Sequence, residues 1–261
     1  MMTSLFAAPR LTRAFLPVVL RNLLVWKKLA VPSIIGNIAE PLITLVAFGY
    51  GLGSMIGQVQ GLPYIVYLAS GSLAVSGALA ATFEGLYSAY SRMEVQKTWE
   101  SIMNAPIALD DIVFAELLWA AIKSMFTVTA ILVVLFVLGI SREPTMLLAL
   151  PVLWLVGLTF AAIALVFNAL ARGYDFFTYY FTLVMTPMTF LSGVYFPIAQ
   201  MPAPLQWLAQ VLPLTHAVAL VRPLVIGEWP QHAGLHTAVL LAYAVAGYWV
   251  ALVLTRRRFF K

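Results

Sequence analysis

Charged residues divide this chain into long uncharged runs. Between Lys28 and Arg92 the only charges are Glu40 and Glu84. Residues 124–141, 144–171, 176–221 and 229–255 carry none. A helix needs about 20 apolar residues to cross a bilayer. The pattern predicts an all-α polytopic membrane protein with six spans, near 32–56, 63–90, 112–139, 145–170, 177–194 and 233–254. The run 176–221 is long enough for two crossings. It contains Pro187, Pro197, Pro202, Pro204 and Pro213, however. Each proline removes a backbone donor and disrupts the helix around it. Non-helical backbone at membrane depth must be buried in protein or line a cavity. The run therefore predicts one span followed by a re-entrant pair of short helices over 195–215.

The positive charges agree with six spans. Both termini then lie on one side, expected to be cytoplasmic. That side receives Arg10, Arg13, Arg21, Lys27, Lys28, Arg92, Lys97, Arg172, Arg256, Arg257, Arg258 and Lys261. The other side receives only Arg142 and Arg222. A seventh span would export the basic tail, against the positive-inside tendency.

Composition removes several function classes. Of 261 residues, 62% are hydrophobic and 10% charged, against about 25% charged in soluble domains. This excludes a soluble enzyme and a disordered chain. The long continuous runs argue against a transmembrane barrel. The net charge of +5 is a topology signal, not a sign of nucleic-acid binding. With no cysteine and three histidines, neither a thiolate centre nor a His-rich metal site is expected. No cleaved signal peptide is expected, since the apolar run 14–20 is short and contains Pro17.

Two segments outside the spans are amphipathic. Over 9–29, Arg21 and Lys28 fall within about 20° of each other on a helical wheel. Phe15, Val19, Leu23 and Trp26 gather opposite. This predicts a helix in the membrane interface, with Arg21, Lys27 and Lys28 toward the cytoplasm. Plain basic anchoring of the first span explains the same residues. The second segment is a connection holding Glu94, Lys97 and Glu100 beside Trp99, Ile102 and Met103. It predicts a short cytoplasmic helix over 94–105 with an exposed apolar docking face. Asp110 and Asp111 follow as cap and first-turn acids of the next span.

The order of elements resembles the permease subunit of ABC transmembrane type-2 exporters, and within it the NodJ family of nodulation-type lipo-oligosaccharide exporters. The runs that carry the resemblance are WESIMNAPIALDDIVFAELLWAAIKS from Trp99, TPMTFLSGVYFPIAQMP from Thr186, LPLTHAVALVRPL from Leu212 and the tail RRRFFK. It covers nearly the whole chain as a single permease domain, 1–261. The resemblance implies a dimer with a second copy of the chain, in the bacterial inner membrane. It also implies two copies of a separate ABC ATPase, docked through the interfacial helix and through Glu94, Lys97, Trp99, Glu100, Ile102 and Met103. ATP and Mg would then be bound by those partners. No glycine here is followed by lysine, so the chain lacks a phosphate-binding loop and is not expected to be an enzyme by itself. The cargo would be an amphipath, a lipo-oligosaccharide or other glycolipid, or a hydrophobic drug.

Charges inside a membrane cost roughly 2.5–3.5 kcal/mol each at mid-depth, so they need partners or water. Glu40, Glu84 and Lys123 are candidates. Glu84 and Lys123 either meet between neighbouring spans or face water separately. Tyr195, Phe196 and Pro197 follow the fifth span on the outer side. They form either an apolar gate at the dimer axis or part of an aromatic belt. A proton-coupled carrier would need acidic or histidine relays, of which the last four spans carry almost none. A lipid-modifying membrane enzyme would need clustered acid/base groups. A passive channel subunit would need neither.

Overall fold

A computed structural model describes residues 5–260, with the side chains of Asn37 and Glu40 outside the description. Glu40 as a candidate intramembrane charge therefore lies outside the described residues. The described chain is almost entirely helical. Helix α1 (Phe15–Lys27) leads into α2 (Ala30–Ile56), whose last turns from Ala47 to Leu52 are π-helical. A two-stranded hairpin, β1 (Gln58–Val59) and β2 (Leu62–Pro63), joins it to α3 (Tyr64–Val95). The hairpin turns on Gln60 and Gly61, both with positive φ, as a two-residue hairpin loop requires. Next come the short α4 (Thr98–Met103), then α5 (Leu109–Val137) and α6 (Pro144–Leu170). Helix α7 runs over 175–191 with a π-helical middle. A bent pair follows, α8 (Ala203–Val211) and α9 (Pro213–Ile226), and α10 (Ala233–Phe259) closes the chain.

Five of these helices are long and apolar enough to cross a membrane: α2, α3, α5, α6 and α10. A sixth is reached if the bent pair counts as one span. The expected fifth span becomes α7, whose 17 residues reach about 26 Å, at the lower limit for a crossing. The broken pair of short helices expected over 195–215 lies later, at 203–226. Its two helices meet at 85° where Pro213 forbids continuation.

Helix α3 lies at the centre, packed by α5, α6 and α9. Its centre is built from alanine, glycine and serine, which let neighbouring backbones approach closely. At Gly85 a Cβ would sit 2.8 Å from Ala164 Cβ, so only the Ala164 methyl stands between α3 and α6 there. Asn168 on α6 donates to the carbonyls of Gly85 and Leu86, in the π-helical turn at Glu84–Ser88. One continuous core joins α3, α5, α6, α7, α9 and α10. Helix α2, by contrast, turns Val31, Ile35 and Ile43 outward, as suits a surface that faces lipid or another chain.

Both chain ends meet at the α4 end of this bundle. Arg256 on α10 donates to the carbonyls of Leu5 and Ala7, and the Phe259 ring stacks on Trp99. The same Arg256 binds Asp110 through Nε, at 2.9 Å, and through Nη2. Asp110 and Asp111 make no side-chain cap for α5. This corrects the capping expectation. Asp110 holds the last helix and accepts from the amide of Arg10, while Asp111 accepts from the amide and hydroxyl of Thr12.

Candidate functional site

The spacing of polar residues on two helices places four charges together. On α5, Glu116, Trp119 and Lys123 recur at i, i+3 and i+7, which is one helix face. On α3, Glu84 opens one π-helical turn and Arg92 sits in another, at Ser91–Val95. Such π-turns recur at functional sites. The two faces meet. Lys123 Nζ lies 2.6 Å from Glu84 Oε2, and Arg92 Nη2 lies 2.7 Å from Glu84 Oε1. Arg92 also donates through Nε to Glu116 Oε1 at 2.9 Å, and through Nη2 to Glu116 Oε2. Trp119 Nε1 donates to Glu84 Oε1 at 2.8 Å. Both carboxylates are buried, each 2% exposed, which makes the matching of two anions by two cations necessary.

This ion network extends to α4. Trp99 Nε1 donates to Glu116 Oε1 at 3.2 Å, and Asn22 of α1 donates to the same oxygen at 3.4 Å. Trp99 is 1% exposed, so it is an anchor and not part of an exposed face. Ile102 and Met103 are half-buried against the core. The expected exposure of Trp99 is thereby corrected. The expected helix over 94–105 is also shorter, because Gln96 and Lys97 turn the chain, Lys97 at φ +52°. Glu94 belongs to the end of α3 and pairs with Arg258 Nη2 at 2.8 Å. The surface of this segment is Val95, Gln96, Lys97, Glu100, Ser101 and Asn104. Glu100 and Glu94, each 3.2 Å from the Lys97 ammonium, raise its pKa above the ordinary lysine value.

Helix α1 spans Phe15–Lys27, inside the expected 9–29. Its apolar side is divided in two. Phe15 packs edge-on against Phe114, and Trp26 stacks on Phe126 of α5 with ring centroids 4.7 Å apart. Leu16, Leu20, Leu24 and Val25 are left exposed. Lys27 and Lys28 are exposed, while Arg21 is half-buried and donates to Asn22 Oδ1 at 2.9 Å. Val19 and Leu23 are half-buried.

At the opposite end of the bundle, Gly193–Pro197 links α7 to the bent pair. Tyr195 is half-buried, with its ring near Phe48 of α2 and Phe190 of α7; Phe196 is 38% exposed and Pro197 is buried. The half-buried Arg222 of α9 holds this loop. It donates to the carbonyl of Gly193 at 2.8 Å and to Ser70 Oγ at 3.2 Å, and lies 3.8 Å from the Tyr67 ring centre. Beside the loop, a groove of about 360 Å³ runs between α2, α3 and α7. Its walls combine hydroxyls of Ser72, Ser76 and Thr186 with the rings of Phe83, Phe181 and Phe190. Among the described residues no cluster of three or more histidines or acids could hold a metal.

The sequence reading missed Glu116, Arg92 and Arg222 as site residues. Arg92 was counted with the loop charges, because the helix was expected to end at Tyr90. The spacing of Glu116, Trp119 and Lys123 was the available signal.

The described residues thus form a bundle of helices long and apolar enough to cross a membrane, with a bent helical pair at one place and a buried ion network at another. Residues 14–226 match the ABC-2 type transporter family, and the chain belongs to that family of membrane transporter permeases. Among its relatives, Nodulation protein J of Rhizobium meliloti is 45% identical over 91% of this chain and 91% of that protein. Nodulation protein J of Bradyrhizobium diazoefficiens is also 45% identical, with the same coverage of both chains. The inner membrane transport permease YadH of Escherichia coli is 23% identical, again over 91% of each chain.

Proposed function

We propose that the chain is the membrane-spanning half of an ATP-driven exporter in the bacterial inner membrane, working as a dimer with two ABC ATPase subunits that bind ATP and Mg. The observation that carries this reading is the anchoring of α4. Its Trp99 is hydrogen-bonded into a buried ion network that joins α3 to α5. A pull on α4 is thereby delivered to two spans together. The segment's surface at Lys97, Glu100, Ser101 and Asn104 would meet the ATPase, with α1 as the second contact. Both termini would be cytoplasmic, which puts the basic tail and α4 on the side of ATP.

The cargo is an amphipath. The groove between α2, α3 and α7 offers hydroxyls for a sugar-bearing head and rings that stack on it, beside the apolar outer face of α2. The identity to Nodulation protein J supports a lipo-oligosaccharide or related glycolipid. Tyr195, Phe196 and Pro197 close the outer end of this path. Replacing both Tyr195 and Phe196 by alanine is expected to raise ion leak through the reconstituted dimer.

The decisive experiment is co-expression with the candidate ATPase, followed by co-purification and glycolipid-stimulated ATP hydrolysis in liposomes. Complex formation and stimulation are expected, and both weaken when Glu100 and Asn104 are replaced by alanine. A purified chain that recruits no ATPase and moves glycolipid unaided would overturn the reading.

A further inference from the structure

A second cavity, about 420 Å³, opens where α1 crosses α3 and α5. Its polar wall carries Arg21, Arg92, Lys123 and Glu84. The charges do not balance there. Arg92 and Lys123 are matched by Glu84 and by Glu116 behind the wall. Arg21 is left over: it donates to the neutral Asn22 Oδ1, and no carboxylate among the described residues lies within 4 Å of it as an ion pair. Burial, and after it the neighbouring charge of Arg92, lowers the Arg21 pKa from its ordinary value, and the charge of Glu116 offsets this only in part. Arginine nonetheless stays charged, so the cavity holds one surplus positive charge.

The rest of the cavity suits a particular shape of anion. Ser88, Ser91 and Gln96 add uncharged hydrogen-bonding groups, and Trp26 and Trp119 form an aromatic wall. At the rim, Val25 and Leu29 are more than half exposed and continue the apolar surface toward α2. A small anion would fill the charged end and leave the apolar rim bare. An anion carrying acyl chains would cover both.

We propose that this cavity binds the phosphodiester headgroup of an anionic membrane lipid, held by Arg21, with its acyl chains lying over Val25 and Leu29. The bound lipid fastens α1 to the ion network that anchors α4. This site is separate from the cargo groove between α2, α3 and α7. It stands whether or not the chain exports a glycolipid.

The test uses the full chain in nanodiscs of phosphatidylcholine with increasing phosphatidylglycerol, and follows thermal unfolding by tryptophan fluorescence. A saturable rise in melting temperature is expected, because a ligand that binds only the folded state stabilises it. Arg21→Gln is expected to need about tenfold more phosphatidylglycerol for the same rise, the usual weight of one lost charge-assisted contact. The double variant Lys27→Gln, Lys28→Gln is expected to respond as the wild type does. If Arg21→Gln responds like the wild type, or the lysine variant loses the response, general attraction to the basic surface replaces the proposed site. Inorganic phosphate at matched ionic strength should not reproduce the rise; if it does, the site is for a free anion. Brominated lipids check the wild type without altering the cavity's charge. Brominated phosphatidylglycerol should quench more strongly than brominated phosphatidylcholine, and the excess should shrink in Trp26→Phe, with Trp119 carrying the remainder. Equal quenching by the two lipids would overturn the proposal.

Discussion

Neutralising Glu84 and Lys123 one at a time should cost more, in sum, than neutralising both. Glu84 accepts from Lys123 at 2.6 Å, from Arg92 at 2.7 Å and from Trp119 at 2.8 Å. In Glu84→Gln the four-charge network becomes net positive, and Lys123 is left facing an amide. Breaking a buried pair costs about 3–5 kcal/mol, and here the lower end applies because Arg92 keeps Glu116. In Lys123→Met the network becomes net negative, but Glu84 keeps two donors. The lost charge-assisted bond is then worth about 2 kcal/mol. The double variant is neutral again, so its cost should stay near about 3 kcal/mol instead of the additive ~5 kcal/mol. The coupling energy is thus about 2 kcal/mol. Equilibrium unfolding of the four proteins in mixed micelles measures it. Additivity within about 0.5 kcal/mol would refute the claim that the two side chains act as one buried pair.

Three further outcomes follow from the same packing. Trp99→Phe keeps a ring against Phe259 but removes the donor to Glu116; it should cost about 1 kcal/mol and reduce cargo-stimulated ATP hydrolysis more than basal hydrolysis. Asp110→Asn breaks the two-bond contact with Arg256, so limited proteolysis should cut the segment before α1 faster while α6 stays protected. At Gly71 an added Cβ would lie 2.8 Å from Arg222 Nη2 and 3.1 Å from the Val194 backbone, so Gly71→Ala should destabilise by about 1–3 kcal/mol in the same unfolding assay.

The spans were legible in the sequence because bilayer thickness and the cost of charge act on short, contiguous windows. The expected spans 63–90, 112–139, 145–170 and 233–254 match α3, α5, α6 and α10 to within a few residues. The resemblance to the ABC type-2 permeases was legible too, in runs such as the one that starts at Trp99. Proline placement indicated a broken helix pair, though not its register: proline forbids a continuous helix but does not say where the next one begins.

What a side chain touches was decided by the tertiary structure alone. Trp99 read as an exposed docking residue, since an amphipathic pattern shows which residues share a face and not what that face meets. Asp110 and Asp111 read as caps because a cap is a local solution. Arg256 and Thr12, which bind them, come from the two ends of the chain. Arg92 read as a loop charge until α3 ran on through a second π-helical turn to Val95 and brought its guanidinium between Glu84 and Glu116. Periodicity fixes direction around one helix axis. Which charges meet is fixed by how the helices cross, through contacts between residues far apart in sequence.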